Sequence, residues 1–327
     1  MLEQFGPIAN VAILVLALAI LVKASSWAIT NTVKLAAISG LGKTKIGFIL
    51  VAFSTSLPEV FVAIFAVLNP ETIGISIGNV LGSNIVNISL VLGIGFLIMA
   101  IKYPESTGFF TKMAREEIGS LNFGIFIASI VPLILLYAEF ANQIAGAALI
   151  ALFFYSMYSL MRNRQTVEQI SDTATKRETR IYFLKSFIGI IGVVATAYFI
   201  VDSGSFLALS AGIPAVIVGA TVVALGTSIP ELATGIASIR KGYIELAVGN
   251  VVGSCFINIT LVLGLTLLLA PPTLISTAFR DLTLFSILTN IVLWYILQNS
   301  KITKREGAML LAIYIIFLII SFSGRSI

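Results

Sequence analysis

Glu59 and Glu231 are the only acidic residues well inside apolar stretches of this 327-residue chain. An ionised carboxylate at membrane depth is costly, so its presence points to a functional site. Oxygen-bearing side chains recur around both at helical spacing. Thr55 and Glu59 are i and i+4, which predicts one shared helix face, with Ser56 beside it; Ser83 and Asn87 are again i and i+4. A second set comprises Thr227, Ser228, Glu231, Ser254 and Asn258. Carboxylates, hydroxyls and amide oxygens brought together make an all-oxygen cage of the kind hard cations prefer. Ser and Thr alone would say little, because they often bond back to their own helix. The plainer reading of the acids is a structural pair or a protonated, hydrogen-bonded carboxyl. No Lys or Arg lies deep inside a span as a partner to either, since Lys23 and Lys185 stand near span ends.

Pro58 and Pro230 directly precede the glutamates. A helix-interior proline removes a backbone hydrogen bond and displaces the carbonyl four residues back, here that of Ser54 or Gly226. Nearby carbonyls can then turn towards an ion. A plain kink is the simpler reading of either proline alone.

These residues belong to an internal repeat. IGFILVAFSTSLPEV at 46–60 matches VGATVVALGTSIPEL at 218–232 at seven of fifteen positions. GNVLGSNIVNISLVLG at 78–93 matches GNVVGSCFINITLVLG at 249–264 at eleven of sixteen. The offsets are 172 and 171, and the matches include Gly, Asn, Ser, Thr, Pro and Glu, which an apolar composition does not explain. Gly47, Gly78, Gly82, Gly219, Gly249 and Gly253 are read first as packing positions, since small residues let membrane helices approach closely.

The elements that must carry these motifs are membrane helices. Hydrophobic residues make up 58% of the chain and charged residues only 11%, far below the roughly 25% of soluble domains. The apolar runs are continuous, whereas a membrane barrel would alternate. Apolar stretches with at most one charged residue each fall near 6–27, 46–68, 72–101, 118–138, 140–161, 181–201, 203–239, 243–270, 282–300 and 307–323. The expected fold is all-α and integral to the membrane: ten transmembrane helices as two inverted five-helix repeats. The repeats are placed at 1–161 and 181–327, joined by a cytoplasmic linker over 162–180. The first run lacks a basic leader and is too long for a signal peptide, so it is kept as a span. The chain has no histidine and one cysteine, Cys255. Histidine-based catalysis, His-ligated metals, internal disulfides and Cys-x-x-Cys redox pairs are therefore excluded.

Basic residues set the direction. One set of loops holds Lys34, Lys43, Lys45, Lys102, Lys112, Arg115, Arg162, Arg164, Lys176, Arg177, Arg180, Lys185, Arg240, Lys241, Lys301, Lys304 and Arg305; only Lys23, Arg280 and Arg325 lie elsewhere. The positive-inside rule puts that set in the cytoplasm and both termini outside. Each half has an odd number of spans, so the second half is inverted, a secondary-transporter signature with the site near the midplane. The net charge of +5 is read as orienting loop charge and not as a nucleic-acid footprint.

The segments STSLPE and GTSIPE, followed by GNVLGSNIVN and GNVVGSCFIN, resemble the two α-repeats of sodium/calcium exchangers in the cation/calcium exchanger superfamily. The resemblance extends to the ten-span plan and is to a prokaryotic-type member without a large regulatory region. It implies a central calcium site flanked by sodium sites. The ligands would be Thr55, Ser56, Glu59, Ser83 and Asn87 with Thr227, Ser228, Glu231, Ser254 and Asn258, together with the carbonyls of Ala52 and Ala224. It also implies that residues 6–39 and 181–210 move against the rest to alternate access. Ser54 stands where Gly is usual. Asn258 stands where some relatives, including the potassium-dependent branch, carry Asp.

The expected function is electrogenic sodium/calcium antiport in the plasma membrane. Calcium and sodium are the transported ions and the lipid bilayer the surroundings; no cofactor, nucleic acid or obligate protein partner is expected. The nearest alternative is a calcium/proton or other divalent-cation antiporter. A channel usually gains its pore from subunit symmetry or a carbonyl filter, whereas this pseudosymmetry is internal. A hydrolase needs an activated nucleophile, and no Lys lies at the depth of Ser56 or Ser228.

Overall fold

The structure is a computed structural model that describes residues 6–38, 52–102, 115–137, 142–162, 176–240, 244–269, 277–298 and 302–323. Gly47, Lys43, Lys45, Lys112, Arg164, Lys241, Lys301, Arg325 and most of the 162–180 linker lie outside the described residues. Those described are almost wholly helical. In chain order the helices are α1 (Gly6–Ile38), α2 (Ala52–Thr55), α3 (Leu57–Ala66), α4 (Ile73–Ile85), α5 (Gly93–Lys102), α6 (Arg115–Tyr137), α7 (Gln143–Arg162), α8 (Lys176–Ala211), α9 (Ala215–Val218), α10 (Ala224–Thr227), α11 (Ile229–Arg240), α12 (Ile244–Ile257), α13 (Leu263–Leu269), α14 (Thr277–Gln298) and α15 (Lys304–Ser323). Three π-helical segments, Val86–Leu92, Gly219–Val223 and Asn258–Val262, join α4 to α5, α9 to α10 and α12 to α13.

Among the described residues six helical stretches are long and apolar enough to cross a membrane, or seven if the bent pair Ala215–Thr227 and Ile229–Arg240 counts as one span. Their outward faces carry exposed Ile191, Trp294, Tyr295, Ile316 and Phe322, as lipid contact requires.

Two expected boundaries change. The break expected at Asp202, the only charge between two apolar runs, is absent. The helix continues to Ala211 and stops at Gly212, whose φ of 64° is followed by Pro214. One acidic residue does not end a helix; a left-handed glycine and a proline do. The second boundary is Lys176, where α8 starts, so the end of the expected 162–180 linker is helical.

The buried apolar residues fall into two clusters. The larger surrounds the motif helices and includes Leu81, Ile85, Val248, Val251 and Val252. The smaller joins α1 to α8 through Leu14, Leu21, Val193, Ala197 and Ile200, with Val62 and Ile75 beneath. α1 and α8 share the most extensive helix contact among the described residues. Gly189 sits against Ala28 and Gly192 against Ala24, and Lys34 lies over the Tyr182 ring, 5.3 Å from its centroid.

The two motif copies pack against each other with little between their backbones. A Cβ at Gly78 would collide with the carbonyl oxygen of Val216, one at Gly82 with that of Ala220, and one at Gly219 with that of Ile75. The packing role expected for these three glycines therefore holds: α4 rests directly on α9 and the Gly219–Val223 segment. The hydroxyls of Ser76 and Thr266 add a cross-copy bond at 2.6 Å.

Candidate ion-binding site

Both proline motifs interrupt their helices two residues before the prolines themselves. Ser56 has φ −82° and ψ 2°, and Ser228 has φ −85° and ψ 0°. Both occupy the sparsely populated bridge region. In the second copy the flanking helices meet at 42°. Glu59 and Glu231 each lie in the first turn beyond the break, and both are wholly buried.

At the break each threonine reaches the opposite copy. The Thr55 hydroxyl is 3.2 Å from the Ser254 hydroxyl, and Ser254 donates to Oε1 of Glu231 at 3.1 Å. Thr55 also donates to Oδ1 of Asn250 at 3.5 Å. The mirror arrangement is present: Thr227 donates to Oδ1 of Asn79 at 3.0 Å and lies 3.4 Å from the Ser83 hydroxyl. Thr227 and Ser83 face the Glu59 carboxylate, as Thr55 and Ser254 face that of Glu231. Hydroxyls of both copies thus lie around each carboxylate, and among the described residues the one side-chain hydrogen bond to either is that from Ser254 to Glu231.

Asn79 and Asn250 are site residues that the sequence reading passed over. The signal was present: Asn79, Ser83 and Asn87 continue one i, i+4, i+8 face, as do Asn250, Ser254 and Asn258.

Many oxygens here have no protein partner. Ser56 Oγ, both Glu59 oxygens, Asn87 Oδ1, Ser228 Oγ, Glu231 Oε2 and Asn258 Oδ1 are buried without a hydrogen bond. Buried polar groups are nearly always satisfied, and this set consists of hard oxygen donors carrying two carboxylates. Such a set suits a cation of the calcium or sodium class. Asn87 opens into one π segment and Asn258 heads another; such bulges occur often at functional sites. Of the two expected backbone ligands, Ala52 begins α2. The carbonyl of Ala224 accepts from the Ser228 N–H at 3.0 Å and from the Thr227 hydroxyl at 3.3 Å.

The two copies differ at one pair. Asn258 donates from Nδ2 to Oδ1 of Asn84 at 3.2 Å. The repeat offset puts Cys255 where Asn84 stands, and Asn87, the counterpart of Asn258, keeps both amide atoms unpartnered.

Comparison with known proteins agrees with this chemistry. A family model described as sodium/calcium exchanger protein matches residues 9–162 and 181–323. The chain is 30% identical over 345 residues to the sodium/calcium exchanger MaX1 of Methanosarcina acetivorans, covering 96% of this chain and 98% of that one. It is 29% identical over 293 residues to the inner membrane protein YrbG of Escherichia coli, covering 85% and 86%. Among solved structures it superposes on the sodium-calcium exchanger NCX_Mj with a TM-score of 0.66 at 26% identity, covering 95% and 98%. It shares its fold with the H+/Ca2+ exchanger CAX, with a TM-score of 0.79 at 15% identity, covering 95% and 82%. With paired T-S-x-P-E breaks around two buried carboxylates and a family match across both halves, this multi-pass membrane protein belongs to the sodium/calcium exchanger family of transporters.

Proposed function

We propose that the chain is an electrogenic antiporter that exchanges sodium for calcium by alternating access. It would do so with ten spans in two inverted halves and both termini outside a plasma membrane. The observation that carries this reading is the set of buried, unpartnered oxygens shared between the copies around Glu59 and Glu231. Thr55, Ser56, Ser83, Asn87, Thr227, Ser228, Ser254 and Asn258 complete the ligand set, with the Ala52 and Ala224 carbonyls. Two carboxylates neutralise one calcium ion. A cage loaded instead with enough sodium ions to exceed two charges is positive, so the two legs of the cycle differ in charge.

The closed cage must open to each side in turn. Leu18 of α1 covers Gly226 at the second break, and α1 and α8 meet in an apolar cluster that reaches the motif helices only through a few residues such as Val62 and Ile75. Sliding of that pair across the breaks would uncover the cage from one face and then the other. The deciding experiment is calcium uptake into proteoliposomes under sodium, proton or potassium gradients imposed singly. Uptake driven by sodium alone is expected. Uptake driven by protons and not by sodium would replace this reading with calcium/proton antiport.

A further inference from the structure

α14 carries a second set of buried polar side chains outside the motif copies. Thr283, Ser286 and Asn290 are spaced by three and four residues, so they lie on one face, and each is completely buried. Thr283 Oγ1, Ser286 Oγ and both amide atoms of Asn290 have no hydrogen-bond partner. Several hydroxyls elsewhere in the bundle behave differently: Thr260, Thr266 and Ser129 each bond back to a carbonyl of their own helix, as buried Ser and Thr often do. Within α14 itself, Thr289 bonds the Ser286 carbonyl at 2.8 Å.

The helices packed on α14 also carry spare polar atoms. α14 packs on α4, α6 and the Val86–Leu92 segment. From α4 comes Asn84, whose Oδ1 accepts from Asn258 and whose Nδ2 is unpartnered. From α6 comes the buried, unpartnered Oδ1 of Asn122. None of these groups is a carboxylate. A divalent ion at membrane depth needs anionic ligands to replace its hydration, whereas neutral oxygens suffice for a monovalent ion that keeps part of its water.

We infer that Thr283, Ser286 and Asn290 form a neutral-oxygen subsite for a partly hydrated monovalent cation, adjoining the carboxylate cage through the Asn84–Asn258 pair. This rests on the antiport reading: the ion is sodium on its way to or from the cage, and calcium does not use the row. The test compares Ser286→Ala and Asn290→Leu with wild type in matched proteoliposomes. Sodium-driven calcium flux and sodium-free exchange of calcium for labelled calcium are measured on the same preparations. The sodium concentration for half-maximal flux should rise, by about tenfold for loss of one oxygen–cation contact, while calcium self-exchange stays unchanged. Equal loss of both fluxes, or no change in either, would overturn the subsite and assign the row to packing. Ser286→Ala removes a single oxygen and carries the test alone if Asn290→Leu does not fold. Wild type that self-exchanges calcium but ignores sodium would overturn the antiport reading and this subsite with it; wild type driven by sodium leaves the variants to decide the subsite alone.

Discussion

The Thr227 hydroxyl donates to the Asn79 side-chain carbonyl at 3.0 Å, joining the proline break of one motif copy to the middle of the other copy's helix. Thr55 and Asn250 form the mirror contact at 3.5 Å. The breaks are therefore held by the opposite half of the sequence, and a change at either break is felt at both carboxylates.

The first prediction concerns these ties. Thr227→Val keeps the side-chain shape and removes the shorter of the two hydroxyl contacts to Asn79 Oδ1. A net cost of about 1 kcal/mol is expected for one such bond, seen as a lower melting temperature in detergent. Asn79→Leu and Asn250→Leu should each slow calcium flux at least about tenfold, since each removes one of the hydrogen bonds that orient a cage hydroxyl. Wild-type flux in either leucine variant would reduce these asparagines to bystanders.

Much of this site could be read in the sequence. Glu59 and Glu231 stand out because an acid inside an apolar span has no bland explanation there, and the serines and threonines followed because they recur at constant offset. What the sequence did not reveal is which copy each side chain serves. That depends on how the two copies pack, which sets Thr55 against Asn250 and Ser254 and Thr227 against Asn79 and Ser83. The π segments were equally hidden, since these helices are buried on nearly every side and have no amphipathic stripe whose phase an inserted residue would shift. Thr283, Ser286 and Asn290 carry no charge and do not recur in the first half, so nothing in the pattern singled them out.

A second prediction follows from the glycine contacts. In an ordinary helix Gly→Ala stabilises by about 1 kcal/mol. At Gly82 the new methyl would meet the backbone of Ala220, so Gly82→Ala should lower thermal stability in detergent. A raised melting temperature would mean that α4 and the Gly219–Val223 segment are not in backbone contact.

The charge difference between the two legs gives a third. A membrane potential acts on each net charge moved with about 2.3 kcal/mol per 100 mV. Potentials imposed with a potassium ionophore should speed sodium-driven calcium flux at one polarity and slow it at the other. Flux that is robust but indifferent to voltage would mean an electroneutral cycle.

Asn258 supplies a fourth. Its Oδ1 is unpartnered while Nδ2 is held by Asn84, which leaves the oxygen for an ion. Asn258→Asp adds a third carboxylate to the cage and must be balanced by one further monovalent cation or proton. Sodium-driven calcium flux in this variant should gain a dependence on potassium or proton concentration that the wild type lacks. Identical dependence in both proteins would move Asn258 out of the cage.

The most direct measurement of the central claim is equilibrium calcium binding to purified protein in detergent, with sodium as competitor, for wild type, Glu59→Gln and Glu231→Gln. A shared cage requires both carboxylates at once, because removing either leaves one calcium charge uncompensated in a low-dielectric interior. The account predicts calcium binding that sodium displaces in wild type, and loss of that binding in each variant, with all three proteins equally monodisperse. Wild-type calcium affinity in a folded Glu59→Gln or Glu231→Gln protein would contradict it.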